Sequence, residues 1–245
     1  MRLRRVYVPD PLVAGASVWV ADSAANHITR VLRLARGAAL TVFDGRGGEY
    51  DATIAELRKD RVRLGVGDWR GIERESPLCM TLAQGVARGE RMDLVVQKAT
   101  ELGVSAIVPV LTERTVVRLT AAAAEQRLRH WRAVAIAACE QCGRNALPEI
   151  SAPVDFADLL AAHAAASAAT RLVLSPAGGL RVRDLRPAGT GVTLLIGPEG
   201  GLAEAEHEAA LAAGFLALNL GPRILRTETA ALAALAAIQQ QHGDL

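Results

Sequence analysis

Aromatic residues are scarce in this chain of 245 residues, since phenylalanine, tryptophan and tyrosine together make up only 3% of it. Alanine and leucine instead supply most of a hydrophobic content of 51%. A chain of this length and composition can bury a substantial core in one or two domains. We therefore expect a helix-rich core in which small side chains allow close contacts.

Cysteine is also rare: Cys79, Cys139 and Cys142 are an odd number and too few for a disulfide framework. The spacing Cys139-x-x-Cys142 occurs in zinc and redox sites. However, it has no second cysteine pair and lies in a helical run. We therefore predict no metal site and expect a reducing environment.

The chain has no long apolar run free of charges, and its first ten residues, MRLRRVYVPD, have no apolar signal core. We expect a cytoplasmic protein that makes no membrane contact. No G-x-G-x-x-G and no G-x-x-x-x-G-K-[ST] stands at a strand–helix junction. Their absence argues against a dinucleotide-dependent dehydrogenase and a P-loop kinase.

Charge is unevenly distributed along the chain. Residues 1–70 hold 12 Lys+Arg against 8 Asp+Glu, whereas the remainder holds 16 against 18. The N-terminal part is therefore the better face for a polyanion. Arginine dominates, because Lys59 and Lys98 are the only lysines. Arginine suits the bidentate recognition of phosphates and bases, although genome-wide composition produces the same bias.

Residues 1–70 predict a small β-rich domain. Short apolar alternations indicate strands at 6–8, 17–20, 39–43, 49–56 and 62–66, and DGRGG at 44–48 indicates a hairpin turn. One helix is predicted over 24–34. It carries His27, Arg30 and Arg33 at i, i+3 and i+6, and this stripe fits either a solvated polar face or a polyanion-binding face.

The polar linker RGIERESP at 70–77 predicts a domain boundary, and a second domain is expected over 71–245. From residue 78 onward, strand and helix patterns alternate. Alternation of this kind predicts an α/β domain in which helices cover both faces of a mostly parallel sheet.

Two strand–glycine–helix units follow one another near the C-terminus. The apolar runs at 192–196 and 216–220 each end in Gly-Pro and lead into an Ala-rich helix. Gly197, Gly200 and Gly201 form the first loop, where backbone amides can approach a ligand. Arg226 stands just before the second helix, where a cation opposes the helix dipole. Although one glycine turn alone is often only a turn, the pair with Arg226 indicates an anion site.

The segment 140–145, EQCGRN, is dense in polar residues where a long helix should stop. Gly143 explains the helix end. Glu140, Gln141, Arg144 and Asn145 have no evident packing role in the sequence, so Arg144 is a candidate for contact with a ligand.

Motifs along nearly the whole chain carry a resemblance to a known family. They are ANHITRVLRL at 25–34, VFDGRGGEYDA at 42–52, RMDLVVQKATELGV at 91–104, AIAACEQCGRNALPEI at 135–150, and LLIGPEGGL with LGPRILRTETAALAA near the C-terminus. Their order and content resemble those of the RsmE family of ribosomal RNA uridine-N3 methyltransferases, in the SPOUT superfamily.

The resemblance implies a SPOUT-type trefoil-knotted α/β domain behind a small PUA-like, RNA-binding β-barrel. It also implies a homodimer, which the Ala/Leu-rich last helix, 228–241, would suit by needing a partner surface. The implied cofactor is S-adenosyl-L-methionine. The residues expected to hold the cofactor are Leu174, Ser175, Ile196, Gly197, Gly200, Leu220, Gly221, Ile224, Leu225 and Thr229. Those expected to contact RNA are Arg5, His27, Arg30, Arg33 and Arg144.

The implied reaction is methyl transfer to N3 of a uridine in 16S rRNA of the small ribosomal subunit, without a metal. Arg226 or Arg144 would stabilise negative charge on the uracil oxygens. Glu199 or Glu228 would accept the N3 proton, and the sequence leaves this choice open. Two alternatives stay open as well: a SPOUT enzyme that acts on a different RNA, and a non-catalytic, RNA-binding ribosome assembly factor.

Overall fold

The computed structural model describes residues 4–116, 120–164, 169–189 and 191–245. Contacts within the chain divide it into two compact units. The first unit consists of the residues through Glu75 together with Ile136–Leu147, and the second of Ser76–Ala135 with Pro148–Leu245. Residues 136–147 thus group with the N-terminal residues, which the sequence patterns do not predict.

The first unit is built around a five-stranded sheet in the order β1-β3-β4-β5-β2, which is antiparallel except for the β1–β3 pair. Alternate side chains of its strands, such as Val62, Leu64 and Val66, are buried in one core. Its elements are β1 (Arg5–Tyr7), β2 (Ser17–Ala21), α1 (Asp22–Asn26), β3 (Ala39–Phe43), β4 (Glu49–Leu57) and β5 (Arg61–Arg70).

The predicted strands and the predicted hairpin turn of this unit are confirmed. Gly45, Gly47 and Gly48 have positive φ between β3 and β4, a conformation that glycine adopts without strain. The predicted helix over 24–34 is too long. Helix α1 passes into a π-helical turn at His27–Val31, and Arg33 has a φ of +53°, a left-handed conformation that ends the helix.

The second unit contains a parallel sheet in the order β12-β10-β11-β6-β7-β8, and β9 also pairs with β7. The strands are β6 (Cys79–Gly85), β7 (Ala106–Leu111), β8 (Glu149–Ile150), β9 (Val154–Asp155), β10 (Thr170–Leu174), β11 (Gly191–Ile196) and β12 (Leu216–Leu218). The helices are α2 (Glu90–Glu101), α3 (Ala121–Cys142), α4 (Phe156–Ala164), α5 (Glu204–Ala212) and α6 (Thr227–His242).

Helices cover both faces of this sheet, which confirms the predicted α/β class. On one face, α2, α3 and α6 contribute to a core with Leu82 and Leu194. On the other, α4 and α5 pack with Val173 and Leu195. Helix α2 shows why: its apolar residues recur at i, i+3, i+4 and i+7, so they form one buried stripe. The residues of that stripe are Met92, Val95, Val96 and Ala99.

Helix α6 is already buried by its own chain, with Ala231, Ala234, Leu235 and Ile238 fully inaccessible in the core. Gln239 is also fully buried and is satisfied there, because its Oε1 accepts a hydrogen bond from Ser76 and its Nε2 donates to a backbone carbonyl. This burial covers one face of the helix, whereas Leu232 is half-buried and Ala233 is exposed. The expectation that the helix needs a partner surface stays a prediction.

Candidate active site

The chain segments that follow β10, β11 and β12 line a cavity of about 680 Å³ in the second unit. This position agrees with the general rule that ligands bind beyond the carboxyl ends of parallel strands. Nine of the ten residues predicted to hold the cofactor line the cavity, as does Glu199. They are Leu174, Ser175, Ile196, Gly197, Gly200, Leu220, Gly221, Ile224 and Leu225.

Thr229, the tenth predicted residue, does not lie on the cavity wall and is exposed. The residue that lines the cavity here is Thr227, which was not among the predicted residues. Both residues belong to the first turn of α6. Because successive helical residues are rotated by about 100°, two positions two residues apart face opposite sides of the helix.

The first glycine loop approaches other backbone so closely that two of its contacts need glycine. A Cβ at Gly197 would lie 2.6 Å from the backbone nitrogen of Leu202, and a Cβ at Gly85 would lie 2.4 Å from that of Pro198. Neither position can accept a side chain without movement of the backbone. The tight turn that the sequence predicts after β11 is therefore required by packing as well as by the cavity.

A buried hydrogen-bond network joins this loop to the start of α6. The Thr227 hydroxyl donates to the backbone oxygen of Gly197 at 2.6 Å and accepts from Nε2 of Gln84 at 2.9 Å. Gln84 lies at the end of β6 and is fully buried. Residues from three chain segments thus hold the first turn of α6 against the glycine loop.

Asn219 organises the second loop. Its Nδ2 donates to the backbone oxygen of Ser175 at 3.0 Å, and its Oδ1 accepts from the backbone nitrogen of Gly221 at 2.9 Å. The second contact is an Asx turn, a geometry that asparagine forms readily two residues before a glycine. Asn219 was not among the residues predicted from the sequence. The Asn-x-Gly pattern at 219–221 is the signal that could have identified it.

Arg226 stands at the N-cap position of α6, with extended backbone angles of −64° and 152°. Its side chain is exposed and forms no hydrogen bond or ion pair within the described part of the chain. The positive end of the helix dipole adds to its charge at this point. The side chain is therefore available to an anion or to an oxygen that gains negative charge.

Glu199 is engaged by other residues of the unit. Its Oε1 accepts hydrogen bonds from the backbone nitrogen of Arg88 and from the Arg91 guanidinium, both at 2.9 Å. Burial raises the pKa of this carboxyl, but the hydrogen bonds and the charge of Arg91 outweigh burial and lower the pKa below its ordinary value. Oε1 of Glu228 lies 3.9 Å from Nε of Arg91, and its Oε2 is buried.

The cavity wall combines apolar side chains with an excess of negative charge. Leu174, Ile196 and Leu225 supply apolar surface. The charged residues on the wall are Glu199, Glu204, Glu208, Arg114 and Arg223, which are three carboxylates and two guanidinium groups. A ligand with an apolar body and a net positive charge fits such a wall best.

In the first unit, two predicted RNA contacts are buried. Arg5 is 4% exposed and pairs with Glu49, and its NH2 donates to Oδ1 of Asn145 at 2.7 Å. Arg144 is 5% exposed and pairs with Glu75 at 2.6 Å. The expectation that these arginines contact RNA, and that Arg144 stabilises the reaction, does not fit side chains that are buried and paired with carboxylates.

The polar segment 140–145 also has the packing role that the sequence analysis did not find. Oε1 of Glu140 accepts from the backbone nitrogen of Tyr7 at 3.0 Å, and its Oε2 lies 2.5 Å from Nδ1 of His27. Glu140 and Asn145 are buried, and only Gln141 is exposed. These groups hold the end of α3 within the first unit.

The predicted basic stripe of the first unit therefore keeps two of its three residues available for contact with RNA. His27 is committed to Glu140, whereas Arg30 and Arg33 are exposed.

Among the described residues, no cluster of three metal-ligating side chains occurs. In the same residues, no helix has the length and apolar content needed to span a membrane.

Comparisons with known proteins give the class of the protein. A family model described as an RNA methyltransferase domain matches residues 74–239, and one described as an RNA methyltransferase PUA domain matches residues 20–67. The first match covers more than half of the chain and includes every residue of the cavity wall. The protein is therefore an RNA methyltransferase.

Individual relatives narrow the class to a family. Ribosomal RNA small subunit methyltransferase E of Buchnera aphidicola (strain Sg) is 32% identical over 100% of this chain and 98% of its own. The enzyme of the same name from Bacillus subtilis is 33% identical over 88% of this chain and 87% of its own. The chain belongs to the ribosomal RNA small subunit methyltransferase E family.

Solved structures agree with this assignment. The Neisseria gonorrhoeae member of that family, bound to S-adenosyl methionine, has a TM-score of 0.91 and 39% identity, and the match covers 99% of both chains. A methyltransferase of Legionella pneumophila, determined with the same cofactor, has a TM-score of 0.95 and 39% identity over the whole of both chains.

Proposed function

We propose that this protein transfers a methyl group from S-adenosyl-L-methionine to N3 of a uridine in 16S rRNA of the small ribosomal subunit. The observation that carries the proposal is the cavity beyond β10, β11 and β12, with glycine loops on its wall and, at the following helix N-terminus, Arg226, which has no partner among the described residues. Membership of the ribosomal RNA small subunit methyltransferase E family supports the choice of substrate.

The cavity fits S-adenosyl-L-methionine in size and charge. Its volume of about 680 Å³ falls within the roughly 300–1,000 Å³ that is usual for small-molecule sites. The apolar side chains of Leu174, Ile196 and Leu225 suit an adenine ring, while the excess of carboxylates suits a cofactor with a sulfonium and an ammonium group. Two structurally similar proteins bind this cofactor.

Bound S-adenosyl-L-methionine supplies an activated methyl group, so no metal is needed to prepare the donor. The acceptor needs more help, because N3 of uracil bears a proton that must leave before nitrogen can attack. The proton passes to water or to Glu228, the other predicted acceptor, and negative charge grows on the uracil oxygens. Arg226, exposed at the start of α6 and unpaired within the part of the chain that the structure describes, would stabilise that charge.

Thr227 would set the position of Arg226, because its hydroxyl fixes the first turn of α6 against Gly197 and Gln84. Glu199 would have a structural role rather than accept a proton. A carboxylate with a lowered pKa that already accepts two hydrogen bonds is a poor proton acceptor, so we assign Glu199 to holding the glycine loop against Arg88 and Arg91.

We further propose that the first unit is a PUA-like, RNA-binding domain and that the second carries the methyltransferase site. Arg30 and Arg33 are the candidates for RNA contact that remain exposed. Guanidinium groups in such positions attract phosphates without reading the sequence. A ribosomal RNA substrate would place the activity in the cytoplasm.

We also infer that the second unit contains the trefoil knot of the SPOUT superfamily. The connection between β10 and β11 contributes Val182 and Leu185 to the core on the face that α6 covers, and Nε2 of Gln241 donates to the backbone oxygen of Arg183 at 3.0 Å. Helix α5 lies on the opposite face. The chain must therefore change faces between α5 and α6, close to that connection.

A homodimer completes the proposal. Ile224, on the loop that lines the cavity, is 89% exposed, which is unusual for a large aliphatic side chain. A second copy of the chain would cover it and complete the site. Sedimentation equilibrium should give a dimer at micromolar concentration. A monomer under those conditions would contradict this part of the proposal.

The reaction is tested with small subunits from cells that lack the gene for this protein. The subunits are incubated with labelled S-adenosyl-L-methionine and the purified protein, and the RNA is digested for nucleoside mass spectrometry. We expect labelled 3-methyluridine. A different methylated nucleoside would contradict the proposed atom, and cofactor binding without incorporation would indicate a different RNA. Neither binding nor incorporation would favour a non-catalytic assembly factor.

A further inference from the structure

A group of aromatic and cationic side chains lies on the outer face of the sheet of the first unit. Trp19 pairs in register with Arg63 across strands β2 and β5. The guanidinium carbons of Arg58, Arg61 and Arg63 lie 4.8, 4.5 and 5.6 Å from the centre of the Trp19 ring. We call these four residues the Trp19 platform.

The alternation of the strands explains why the platform faces away from the core. Val62 and Leu64 of β5 and Val20 of β2 are buried in the core of the unit. Because neighbouring residues of a strand point to opposite faces, Trp19, Arg61 and Arg63 face outward. None of them is needed to fill the core.

Charge on the platform is only partly balanced. Glu56 pairs with Arg58 at 2.8 Å and with Arg63 at 3.1 Å. Arg61 is exposed and has no carboxylate within 4 Å among the described residues. Three guanidinium groups with one carboxylate leave a local charge of about +2, because arginine is always protonated. The platform therefore attracts an anion.

The geometry selects RNA among anionic partners. A guanidinium group binds a phosphate with two parallel hydrogen bonds, and planar guanidinium and indole groups stack on bases. An exposed cation–π contact contributes only about 0.5–1 kcal/mol, so a base or phosphate can displace an arginine from the indole at little cost. Strand β2 also ends the sheet, so nothing within this sheet pairs with its outer edge.

We propose that the Trp19 platform is a second RNA-binding surface of the first unit, which holds the phosphates and a stacked base of the ribosomal RNA. This inference rests on the proposed function, since it assumes that the substrate is RNA. It adds a contact that the stripe of Arg30 and Arg33 does not provide.

The test compares two variants from which the same number of charges is removed. Arg58→Gln with Arg61→Gln alters the platform and leaves Arg63 and Glu56 paired. Arg129→Gln with Arg183→Gln alters two exposed arginines of the second unit and serves as the control. For each protein, affinity for a 16S rRNA transcript and for small subunits is measured between 50 and 200 mM salt, roughly the range over which phosphate contacts weaken most.

We expect the platform variant to bind both RNAs about tenfold more weakly than the control at low salt. The slope of log affinity against log salt should also fall by about 1 to 2, which corresponds to the phosphate contacts removed. Affinity for S-adenosyl-L-methionine and kcat at saturating RNA should match those of the control. In a Trp69→Phe background, where the buried Trp131 is the other remaining tryptophan, RNA should change the fluorescence of Trp19.

Equal RNA affinity in the platform and control variants, when the wild-type protein binds and methylates the RNA, would overturn the platform and leave the proposed function intact. Weaker binding to small subunits with unchanged binding to the transcript would also overturn it, because the partner would then be a ribosomal protein. Failure of the wild-type protein to methylate either RNA would instead contradict the proposed function.

Discussion

The two units of this protein use arginine in opposite ways. In the second unit, Arg226 stands exposed and unpaired among the described residues, at a helix N-terminus. In the first unit, Arg5 and Arg144 are buried against carboxylates. From the sequence, all three arginines are expected to contact the RNA substrate. The difference shows that an arginine in a polar motif can be paired with a carboxylate from a distant part of the chain, which its local sequence does not reveal.

The largest effect is expected at Arg226, which tests whether the second unit holds the chemistry. Arg226→Ala should lower the rate of methyl transfer by about a thousandfold, as is usual when a charge-stabilising donor is lost. Affinity for S-adenosyl-L-methionine, measured by calorimetry, should stay within a few-fold because the cavity wall is intact. Arg226→Lys, which keeps the charge but loses the planar fork, should retain partial activity. Full activity of Arg226→Ala would contradict the assignment.

The next largest effect is expected at Arg144, and it concerns stability. Arg144→Ala leaves Glu75 without its salt-bridge partner, and because the Glu75 side chain is 26% exposed, the cost lies at the lower end of the roughly 3–5 kcal/mol of a fully buried pair. The free energy of unfolding, measured in urea, should fall by about that amount. The double variant Arg144→Met with Glu75→Gln should recover part of the loss. If Arg144→Ala kept its stability and lost only RNA affinity, the residue would be a binding residue after all.

The pair Thr227 and Thr229 provides a matched comparison within one helical turn. Thr227→Val removes two buried hydrogen bonds and should destabilise the second unit by about 1–3 kcal/mol. It should also weaken cofactor binding, because Gly197 and the start of α6 are no longer fixed to each other. Thr229→Val should change neither quantity. Thermal denaturation and cofactor titration measure both, and equal behaviour of the two variants would contradict the network.

The smallest effect is expected from the ionisation of Glu199. Its pKa is lowered in the folded protein from an ordinary value of 4.5. Such a group contributes stability that is fully present above the unfolded pKa and is lost as pH falls through the folded pKa. Unfolding measured below pH 4.5 should therefore lose less stability in Glu199→Gln than in the wild-type protein. An identical acid limb in both proteins would show that the hydrogen bonds from Arg88 and Arg91 contribute nothing.

Much of the fold follows from local patterns in the sequence. Apolar periodicity predicted the strands of the first unit and the alternating α/β architecture of the second, but not the short strands β8 and β9. Glycine motifs at strand ends predicted the first loop of the cavity, because such motifs specify backbone geometry over a few residues. Of the ten cofactor residues that the family resemblance implies, nine lie on the cavity wall. Thr229 is the exception: it is exposed, and Thr227 of the same helical turn lines the cavity. The role of Thr229 stays a prediction.

The rest depended on contacts between distant residues. No local pattern shows that Glu75 pairs with Arg144, that Glu49 pairs with Arg5, or that residues 136–147 group with the first unit. The predicted helix over 24–34 was too long for a related reason. Ile28 is buried in the core of the first unit, within a π-helical turn that is followed by the left-handed Arg33, and the local pattern shows neither feature.

The most direct test of the account is steady-state methylation of small subunits by three proteins: the wild type, Arg226→Lys, and Arg30→Ala with Arg33→Ala. If the second unit performs the chemistry and the first binds RNA, Arg226→Lys should lower kcat and leave KM for the subunit near its wild-type value. The first-unit variant should raise KM by about tenfold and leave kcat unchanged, because phosphate contacts contribute uniformly to binding. The opposite pattern, a raised KM for Arg226→Lys and a lowered kcat for the first-unit variant, would contradict the division of roles.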